Sequence, residues 1–324
     1  MVKDRRFCVL MTDRAWPDSE LERQILAEID ADVIDAPASD EATLSELAQD
    51  VDAIATCWAR VTDSVIRAAT HCRVIARFGI GLDNIAVATA SELGIPVTYV
   101  PDYCVPEVSD HTLALLLACA RKIAFFHHRT KSGVYNLQEG TLMHRLSNCT
   151  LGLVGFGRIG QEVFRKASVL GLDIVAHTPS GNDYGTGCRM VGFDQLLQQS
   201  DFVSLHLPAN EQTHRLVGTA EYARMRRSAF LINTSRGALV DHDALWSALE
   251  NNSIAGAALD VFDPEPPDLT HPLFRHDRLI VTPHAAFWSE ESLRELRSRT
   301  ACQVSQALQG RRPEHVVNPQ VYEN

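Results

Sequence analysis

Residues 150–163 place an apolar run, three glycines and a helical pattern in a fixed order. The run Thr150-Leu-Gly-Leu-Val is followed by Gly155, Gly157 and Gly160, at GxGxxG spacing. In such a turn the first glycine permits the sharp bend, the second lets the backbone approach a pyrophosphate, and the third lets helix pack on strand. An ordinary glycine-rich turn has similar letters. The apolar runs before and after this one favour a dinucleotide site in a parallel sheet.

The rest of the chain alternates short apolar runs with helical patterns, which indicates the α/β class. With 324 residues, two domains are expected. Strands are predicted at Phe7–Met11, Val51–Thr56, Arg73–Ala76, Pro96–Val100, Thr150–Val154, Asp173–His177, Phe202–His206, Phe230–Asn233, Ala255–Leu259 and Leu279–Thr282. Helices are predicted at Asp18–Ile29, Thr43–Ala48, Asp63–Ala69, Pro106–Phe126 and after Trp288. The last helix is expected to return to the first domain.

The formal charge of −11 argues against nucleic acid or an anionic membrane as the main partner, because either requires a basic face. The charged start, Met1–Phe7, predicts neither a signal peptide nor a membrane span. Eight cysteines are scattered without a CxxC pair, so we expect reduced thiols in a cytoplasmic protein and no metal site. A small soluble ligand fits this composition best.

The position expected to read the cofactor ribose departs from the usual pattern. An acid normally follows the second strand and binds the 2′-hydroxyl, but here Thr178 follows His177. No Arg or Lys stands between His177 and Gly187 to attract a 2′-phosphate. NAD is therefore the expected cofactor, with NADP possible and Asp183 a substitute acid if its loop folds back.

Three segments at predicted strand ends carry side chains suited to 2-oxo acid chemistry. They supply Arg236, Glu265 and His284. An arginine fork can grip a carboxylate and polarise the neighbouring carbonyl, and a histidine oriented by a carboxylate can donate a proton near neutral pH. Taken singly, each residue has a structural alternative: a salt bridge, a solvated turn and a buried imidazole.

Four ordered motifs, Gly-Phe-Gly-Arg-Ile-Gly, Asn-Thr-Ser-Arg-Gly, Ala-Leu-Asp-Val-Phe-Asp-Pro-Glu-Pro and Thr-Pro-His-Ala-Ala, resemble the D-isomer-specific 2-hydroxyacid dehydrogenases. The segments beginning at Val100 and His284 are most similar to bacterial relatives of C-terminal-binding proteins. The resemblance implies an NAD(P)-dependent oxidoreductase for a small 2-oxo or 2-hydroxy acid. It also implies a Rossmann domain at residues 102–287, inserted into a flavodoxin-like substrate domain of residues 1–101 and 288–324.

The family's site residues can be assigned to matching positions. Arg236 would bind the carboxylate, Glu265 and His284 would form the proton-donating pair, and Asp260 would contact the nicotinamide carboxamide. The other implied cofactor contacts are Gly155, Phe156, Gly157, Arg158, Ile159, Gly160, Thr178, His206, Pro208, Thr213 and Thr234. Implied substrate contacts are Arg77, Gly79, Ile80, Arg236, His284 and Trp288.

Residues Tyr135–Leu146 resemble the segment that reaches a partner subunit, so a homodimer is expected. Arg60 and Arg77 suggest a polar or second acidic group on the substrate, although Arg60 could simply face solvent and Arg77 could pair with an acid. The alternative function is a dinucleotide-sensing scaffold of the corepressor kind, with little turnover. The chain shows no partner-binding tail or low-complexity segment, which favours the enzyme.

Overall fold

The structure is a computed structural model that describes residues 6–323. It divides into two compact units. The terminal unit contains the described residues up to Tyr103 and those from Ser289 onward, and the central unit spans Cys104–Trp288. Residues 1–5 and 324 lie outside the described residues. They belong to the predicted substrate domain, and residues 1–5 also belong to the charged start for which no signal peptide is predicted.

The terminal unit is a five-stranded parallel sheet in the order β2-β1-β3-β4-β5, the flavodoxin-like arrangement. Its strands are β1 Phe7–Met11, β2 Ala31–Asp35, β3 Ala53–Thr56, β4 Val74–Arg77 and β5 Val97–Thr98. Its helices are α1 Glu20–Ala27, α2 Glu41–Ala48, α3 Asp63–Ala68, α4 Val87–Glu92 and, from the chain's end, α11 Glu290–Leu308. The sequence analysis missed β2 and α4. β2 is an edge strand whose residues alternate between buried and exposed, so it lacks a continuous apolar run.

Helix α11 is fastened to α1 by a buried ion pair. The Glu22 carboxylate is almost fully buried and accepts two hydrogen bonds of 2.8 Å from the Arg297 guanidinium. Arg297 also lies over the Trp16 ring, 5.3 Å from its centroid. A buried carboxylate needs such a partner, and this pair joins the two chain ends in one unit.

The central unit begins with helices α5 Val105–Arg121 and α6 Ile123–Lys131. The single helix predicted at Pro106–Phe126 is wrong, because Lys122 adopts a left-handed conformation (φ 52°) and separates the two. The remaining helices are α7 Arg158–Ser168, α8 Phe193–Gln199, α9 Thr219–Arg224 and α10 His242–Glu250.

Seven parallel strands form the central sheet, in the order β12-β11-β10-β9-β6-β7-β8. They are β6 Thr150–Val154, β7 Asp173–His177, β8 Arg189–Met190, β9 Phe202–Leu205, β10 Phe230–Asn233, β11 Gly256–Leu259 and β12 Leu279–Val281. The strand order reverses between β6 and β9, and ligands of such sheets bind beyond the carboxyl ends there. The predicted α/β class with two parallel sheets is confirmed. The two-residue strand β8 was not predicted.

Within residues 6–323, no helix combines the length and apolarity needed to cross a bilayer. All eight cysteines are free thiols, and burial raises the pKa of Cys57, Cys72 and Cys119 to about 12. The described residues hold no group of three or more potential metal-binding side chains.

Candidate active site

The glycine turn lies at the carboxyl end of β6, and its three glycines have different surroundings. Gly155 has φ +92°, and a Cβ built there would stand 2.2 Å from the His206 carbonyl oxygen. A Cβ on Gly160 would stand 2.7 Å from the Gly155 oxygen. A Cβ on Gly157 would meet no atom within 4 Å, so this glycine leaves space open in front of the turn. The turn therefore fits a pyrophosphate approaching at Gly157.

Helix α7 starts at this open space. Gly157 is its N-cap residue, and no side chain caps the helix start. Backbone N–H groups and the positive end of the helix dipole at such a start favour an anion. Arg158 is exposed on the first turn, whereas Phe156 is buried and packs against Phe164, with ring centroids 5.8 Å apart. Only the backbone of Phe156 could therefore face a ligand.

The ribose-reading position combines Thr178 with Ser180, whose hydroxyl oxygens lie 3.3 Å apart in an exposed loop. Asp183 does not fold back toward them, because its carboxylate accepts the amides of Gly185 and Gly187 at 3.1 and 3.0 Å. Arg189 bonds Asp173 at the opposite, amino-terminal end of β7. The substitute acid considered from the sequence is thus engaged in its own turn.

The predicted segment after β9 closes a tight loop around Thr213. Its hydroxyl donates to the Pro208 carbonyl at 2.7 Å and accepts the Asn210 amide at 2.9 Å. His206 bonds Ser204 through Nε2 at 2.9 Å, and burial lowers the His206 pKa to about 4. The imidazole beside the glycine turn is therefore neutral at neutral pH.

Arg236 follows β10 in a segment that is held by hydrogen bonds between its own residues. The Asn233 amide group donates to the Arg236 carbonyl at 2.8 Å, and the Asn233 side-chain oxygen accepts the Ser235 amide at 3.0 Å. Gly237 is pressed against the next loop, since a Cβ there would lie 1.9 Å from the carbonyl carbon of Phe262. Only glycine permits this approach of backbones, which brings the Arg236 loop beside the loop of Glu265.

The Asp260 carboxylate is fully buried at the end of β11. It accepts the Thr282 hydroxyl and the Ala285 amide on Oδ1, and the Ala286 amide on Oδ2 at 2.9 Å. The Asp260 carbonyl accepts the His284 amide at 2.7 Å. This residue therefore fixes the backbone of the His284 loop. Its predicted contact with the nicotinamide stays a prediction.

Glu265 and His284 lie together: Glu265 Oε2 and His284 Nδ1 are 2.7 Å apart. The other carboxylate oxygen accepts the Phe262 amide at 2.8 Å. Burial alone would raise the pKa of the Glu265 carboxyl, but the hydrogen bond and charge of His284, the Phe262 amide and the Arg236 charge outweigh it. The pKa is lowered, so Glu265 is ionised at neutral pH.

Two aromatic residues, Phe287 and Trp288, follow His284 in the same loop. Phe287 packs edge-to-face on His284 and on Trp288, with centroids 6.0 and 5.8 Å apart, and half of Trp288 is exposed. Sequence reasoning missed the polar residues of α5 behind these loops. His111 lies 3.0 Å from the Thr282 hydroxyl, and Thr112 bonds Thr234 at 2.8 Å. The only sequence signal was a pair of polar residues entering an apolar helix.

The predicted substrate loop lies in the terminal unit, after β4. Arg77 is buried and donates to the Asn84 side chain at 3.1 Å and to the Phe78 carbonyl, so it supports this loop from within. No acid among residues 6–323 forms an ion pair with Arg77. Gly79 has φ +150°, and a Cβ on it would collide with the Arg77 guanidinium. Substrate binding by Gly79 and Ile80 stays a prediction of the family resemblance.

The carboxyl edge of the central sheet combines a glycine turn that fits a pyrophosphate with the loops that carry Arg236, Glu265 and His284. Together they suit the dinucleotide-dependent reduction of a carbonyl that lies beside a carboxylate. The class is that of nicotinamide-dependent oxidoreductases, which exchange hydride between 2-oxo and 2-hydroxy acids. Residues 113–286 match the family model described as D-isomer specific 2-hydroxyacid dehydrogenase, NAD binding domain. The chain belongs to this family, as the motifs indicated, and uses NAD(P).

Curated relatives agree over most of the chain. It is 36% identical to a glyoxylate reductase of Korarchaeum cryptofilum over 91% of this chain and 90% of the relative. It is also 36% identical to a hydroxypyruvate reductase of Thermotoga maritima, over 73% of this chain and 78% of the relative. A crystal structure of a Thermus thermophilus protein superposes with a TM-score of 0.87 at 32% identity, covering 96% of this chain and all of the other.

The prediction of an enzyme is confirmed by these relatives, and the scaffold alternative is not favoured. The assignment to the branch similar to C-terminal-binding proteins is not confirmed.

We predict that Gly155→Ala and Gly157→Ala will separate folding from cofactor binding. Gly155→Ala should lower the melting temperature by several degrees, because its Cβ collides with backbone at a positive φ. Gly157→Ala should leave the melting temperature close to that of the parent and weaken NADH binding about tenfold, since its methyl fills the open space. Thermal unfolding and fluorescence titration with NADH measure both. Unchanged NADH affinity in Gly157→Ala would contradict the phosphate position.

We predict that Glu265→Gln will move the high-pH limb of the reduction profile to lower pH. The ionised carboxylate lies 2.7 Å from the imidazole. A negative charge beside a cationic acid favours the protonated form of that acid, so we expect the limb to move to lower pH when the charge is removed. The measurement is kcat against pH. Asp268→Asn is the matched control, because the carboxylate of this exposed acid accepts hydrogen bonds only from Thr270 among the described contacts. A limb that stays in place or moves upward would refute the pairing.

Proposed function

We propose that this enzyme reduces small 2-oxo acids, with Arg236 binding the carboxylate and the Glu265–His284 pair supplying the proton. The observation that carries the proposal is the 2.7 Å contact between His284 Nδ1 and an ionised Glu265, at the sheet edge that also bears Arg236. Glyoxylate and hydroxypyruvate are the first substrates to assay, because the relatives are named for them.

The roles follow from the charges. The Arg236 fork neutralises the substrate carboxylate and draws electron density from the adjacent carbonyl. Bound nicotinamide supplies the hydride that the carbonyl carbon accepts. The protonated His284 gives its Nε2 proton to the carbonyl oxygen, which becomes the hydroxyl of the product. Nδ1 keeps its own proton, which it donates to Glu265 in a hydrogen bond. The ring is therefore neutral after the transfer and keeps its orientation.

We predict that Arg236→Ala will raise KM for glyoxylate and lower kcat, while NADH affinity stays near that of the parent. Losing a charged hydrogen bond costs about 1.5–3 kcal/mol, which corresponds to roughly tenfold to a hundredfold in kcat/KM. Arg224→Ala is the control, because Arg224 pairs with Glu221 on the exposed face of α9. Steady-state kinetics identical to the parent would remove Arg236 from the site.

Cofactor choice should favour NADH, but modestly. Thr178 supplies a hydroxyl in place of the usual acid, and Asp183 is engaged by two amides. Arg158 is the exposed cation on the turn that could accept a 2′-phosphate, whereas Arg189 is paired with Asp173 at the far end of β7. The pocket thus neither repels the phosphate strongly nor binds it strongly.

We predict that Thr178→Asp will strengthen the preference for NADH, because a carboxylate there repels a 2′-phosphate. The measurement is the ratio of kcat/KM for NADH and NADPH in both proteins. Thr186→Asp adds the same charge elsewhere in the loop and should leave the ratio nearer to the parent value. A clear preference for NADPH in the parent would overturn this description of the pocket.

A homodimer would bury an apolar surface that the chain exposes between α6 and the residues before β6. Tyr135, Leu137 and Leu142 are 95%, 76% and 96% exposed, and the family resemblance assigns this segment to a partner subunit. Apolar side chains exposed close together along the chain are a feature of surfaces that bind another protein. We also propose a cytoplasmic location, supported by the eight free thiols.

We predict that Leu142→Glu will convert the dimer to monomers, because an unpaired charge would be buried at the interface. Sedimentation equilibrium measures the mass. Val169→Glu is the matched control. Val169 is 84% exposed at the carboxyl end of α7 and lies outside the proposed interface. A parent protein that sediments as a monomer would contradict the proposal.

A further inference from the structure

His111 on α5 lies beside Thr282 and Asp260, the residues that hold the His284 loop in place. The proposed reaction gives His111 no role. Its Nε2 lies 3.0 Å from the Thr282 hydroxyl and 3.6 Å from Asp260 Oδ1. Asp260 is fully buried and His111 is mostly buried, so these contacts are shielded from bulk water. All three residues belong to the central unit.

Counting protons fixes the direction of these hydrogen bonds. The Thr282 hydroxyl has one proton, and it donates that proton to Asp260 Oδ1. Thr282 can therefore only accept from His111, so Nε2 of His111 carries a proton. The chain of bonds runs from His111 through Thr282 to the Asp260 carboxylate, which in turn accepts the amides of Ala285 and Ala286.

We propose that His111 is a positioning residue for the proton donor: through Thr282 it holds Asp260 against the loop that carries His284. The proposal rests on the role of His284 in the proposed function. His111 touches neither reacting group in this scheme, and it acts by keeping the Thr282 hydroxyl aimed at Asp260.

The backbone at His284 explains why such support matters. His284 has φ +54°, a left-handed conformation that costs energy for any residue with a Cβ. The bonds from the Asp260 carbonyl and carboxylate oppose its relaxation at three successive amides, those of His284, Ala285 and Ala286. Without the His111 donor, the Thr282 hydroxyl can turn away and this hold weakens. A misplaced imidazole slows proton transfer more than it weakens substrate binding.

The next residue of α5 lies in a similar way beside the loop of Arg236. Thr112 lies 2.8 Å from the Thr234 hydroxyl, two residues before Arg236, and both threonines are buried. Consecutive residues of one helix thus bond to two of the three loops that carry the proposed catalytic side chains, those of Arg236 and His284. This arrangement gives α5 a site-directed role beyond core packing.

The first test compares His111→Leu with His111→Gln, whose amide can still donate to Thr282. We expect His111→Leu to lower kcat about tenfold with KM for glyoxylate within about twofold of the parent. His111→Gln should recover most of the loss. His276→Leu is the matched control: it removes another mostly buried histidine, whose Nδ1 accepts the Arg278 amide. It should lower thermal stability without lowering kcat. Unchanged kcat in His111→Leu, or no recovery with Gln, would overturn the proposal.

The second test asks whether His111 acts through Thr282. Thr282→Val should resemble His111→Leu in kcat, and Thr282→Ser should be close to the parent. In the double variant the His111→Leu and Thr282→Val losses should not multiply, because both break one chain of bonds. Losses that multiply fully would show two independent effects and reject the linkage.

A third measurement separates this inference from the proposed function. In uniformly ¹⁵N-labelled protein, the His111 side-chain resonances should report a proton on Nε2, and His111→Leu should shift the Ala285 and Ala286 amide signals. If His284→Ala keeps full turnover, the proposed function fails, yet these signals still decide whether His111 holds the loop. Unmoved amide signals, or an unprotonated Nε2, would overturn the positioning role whatever the kinetics show.

Discussion

The edge of the central sheet depends on one buried charge, the carboxylate of Asp260. Taking a carboxylate out of water costs several kcal/mol unless polar groups surround it, and here two amides and a hydroxyl do so. Because these donors all come from residues 282–286, satisfying the charge also folds that segment. The His284 backbone is held in its unfavourable conformation as a consequence, and the imidazole is directed to Glu265.

Sheet topology determines which side chains can share this edge. The carboxyl ends of parallel strands lie on one side, so the segments after β6, β9, β10, β11 and β12 line one edge although more than a hundred residues separate the first from the last. Glycines allow the closest approaches. Gly155 lies against the backbone of His206, and Gly237 lies against that of Phe262. The phosphate half of the edge, formed by the loops after β6 and β9, and the acid–base half, formed by the loops after β10, β11 and β12, each contain a backbone contact that no larger residue permits.

Much of this could be predicted from the sequence, because strand periodicity and the glycine turn are local signals. The strands at the sheet centres, the dinucleotide turn and the pairing of Glu265 with His284 all followed from local patterns and family motifs. The missing features depend on distant partners or weak patterns. His111 and Thr282 are 171 residues apart, β2 lacks a continuous apolar run, and only the loop's own amides reveal that Asp183 cannot replace the ribose acid.

Helix α5 connects the two halves of the edge. Lys166 of α7, the helix that follows the glycine turn, bonds Ser109 and Asp110 of α5. His111 and Thr112 of α5 bond the loops of His284 and Arg236. The apolar face of α5 is packed in the central core, where close packing restricts movement of the helix. Its contribution is therefore rigidity. A hydride donor and a proton donor must meet one carbonyl within fractions of an ångström, and a helix bonded to both halves is a physical means of keeping that distance.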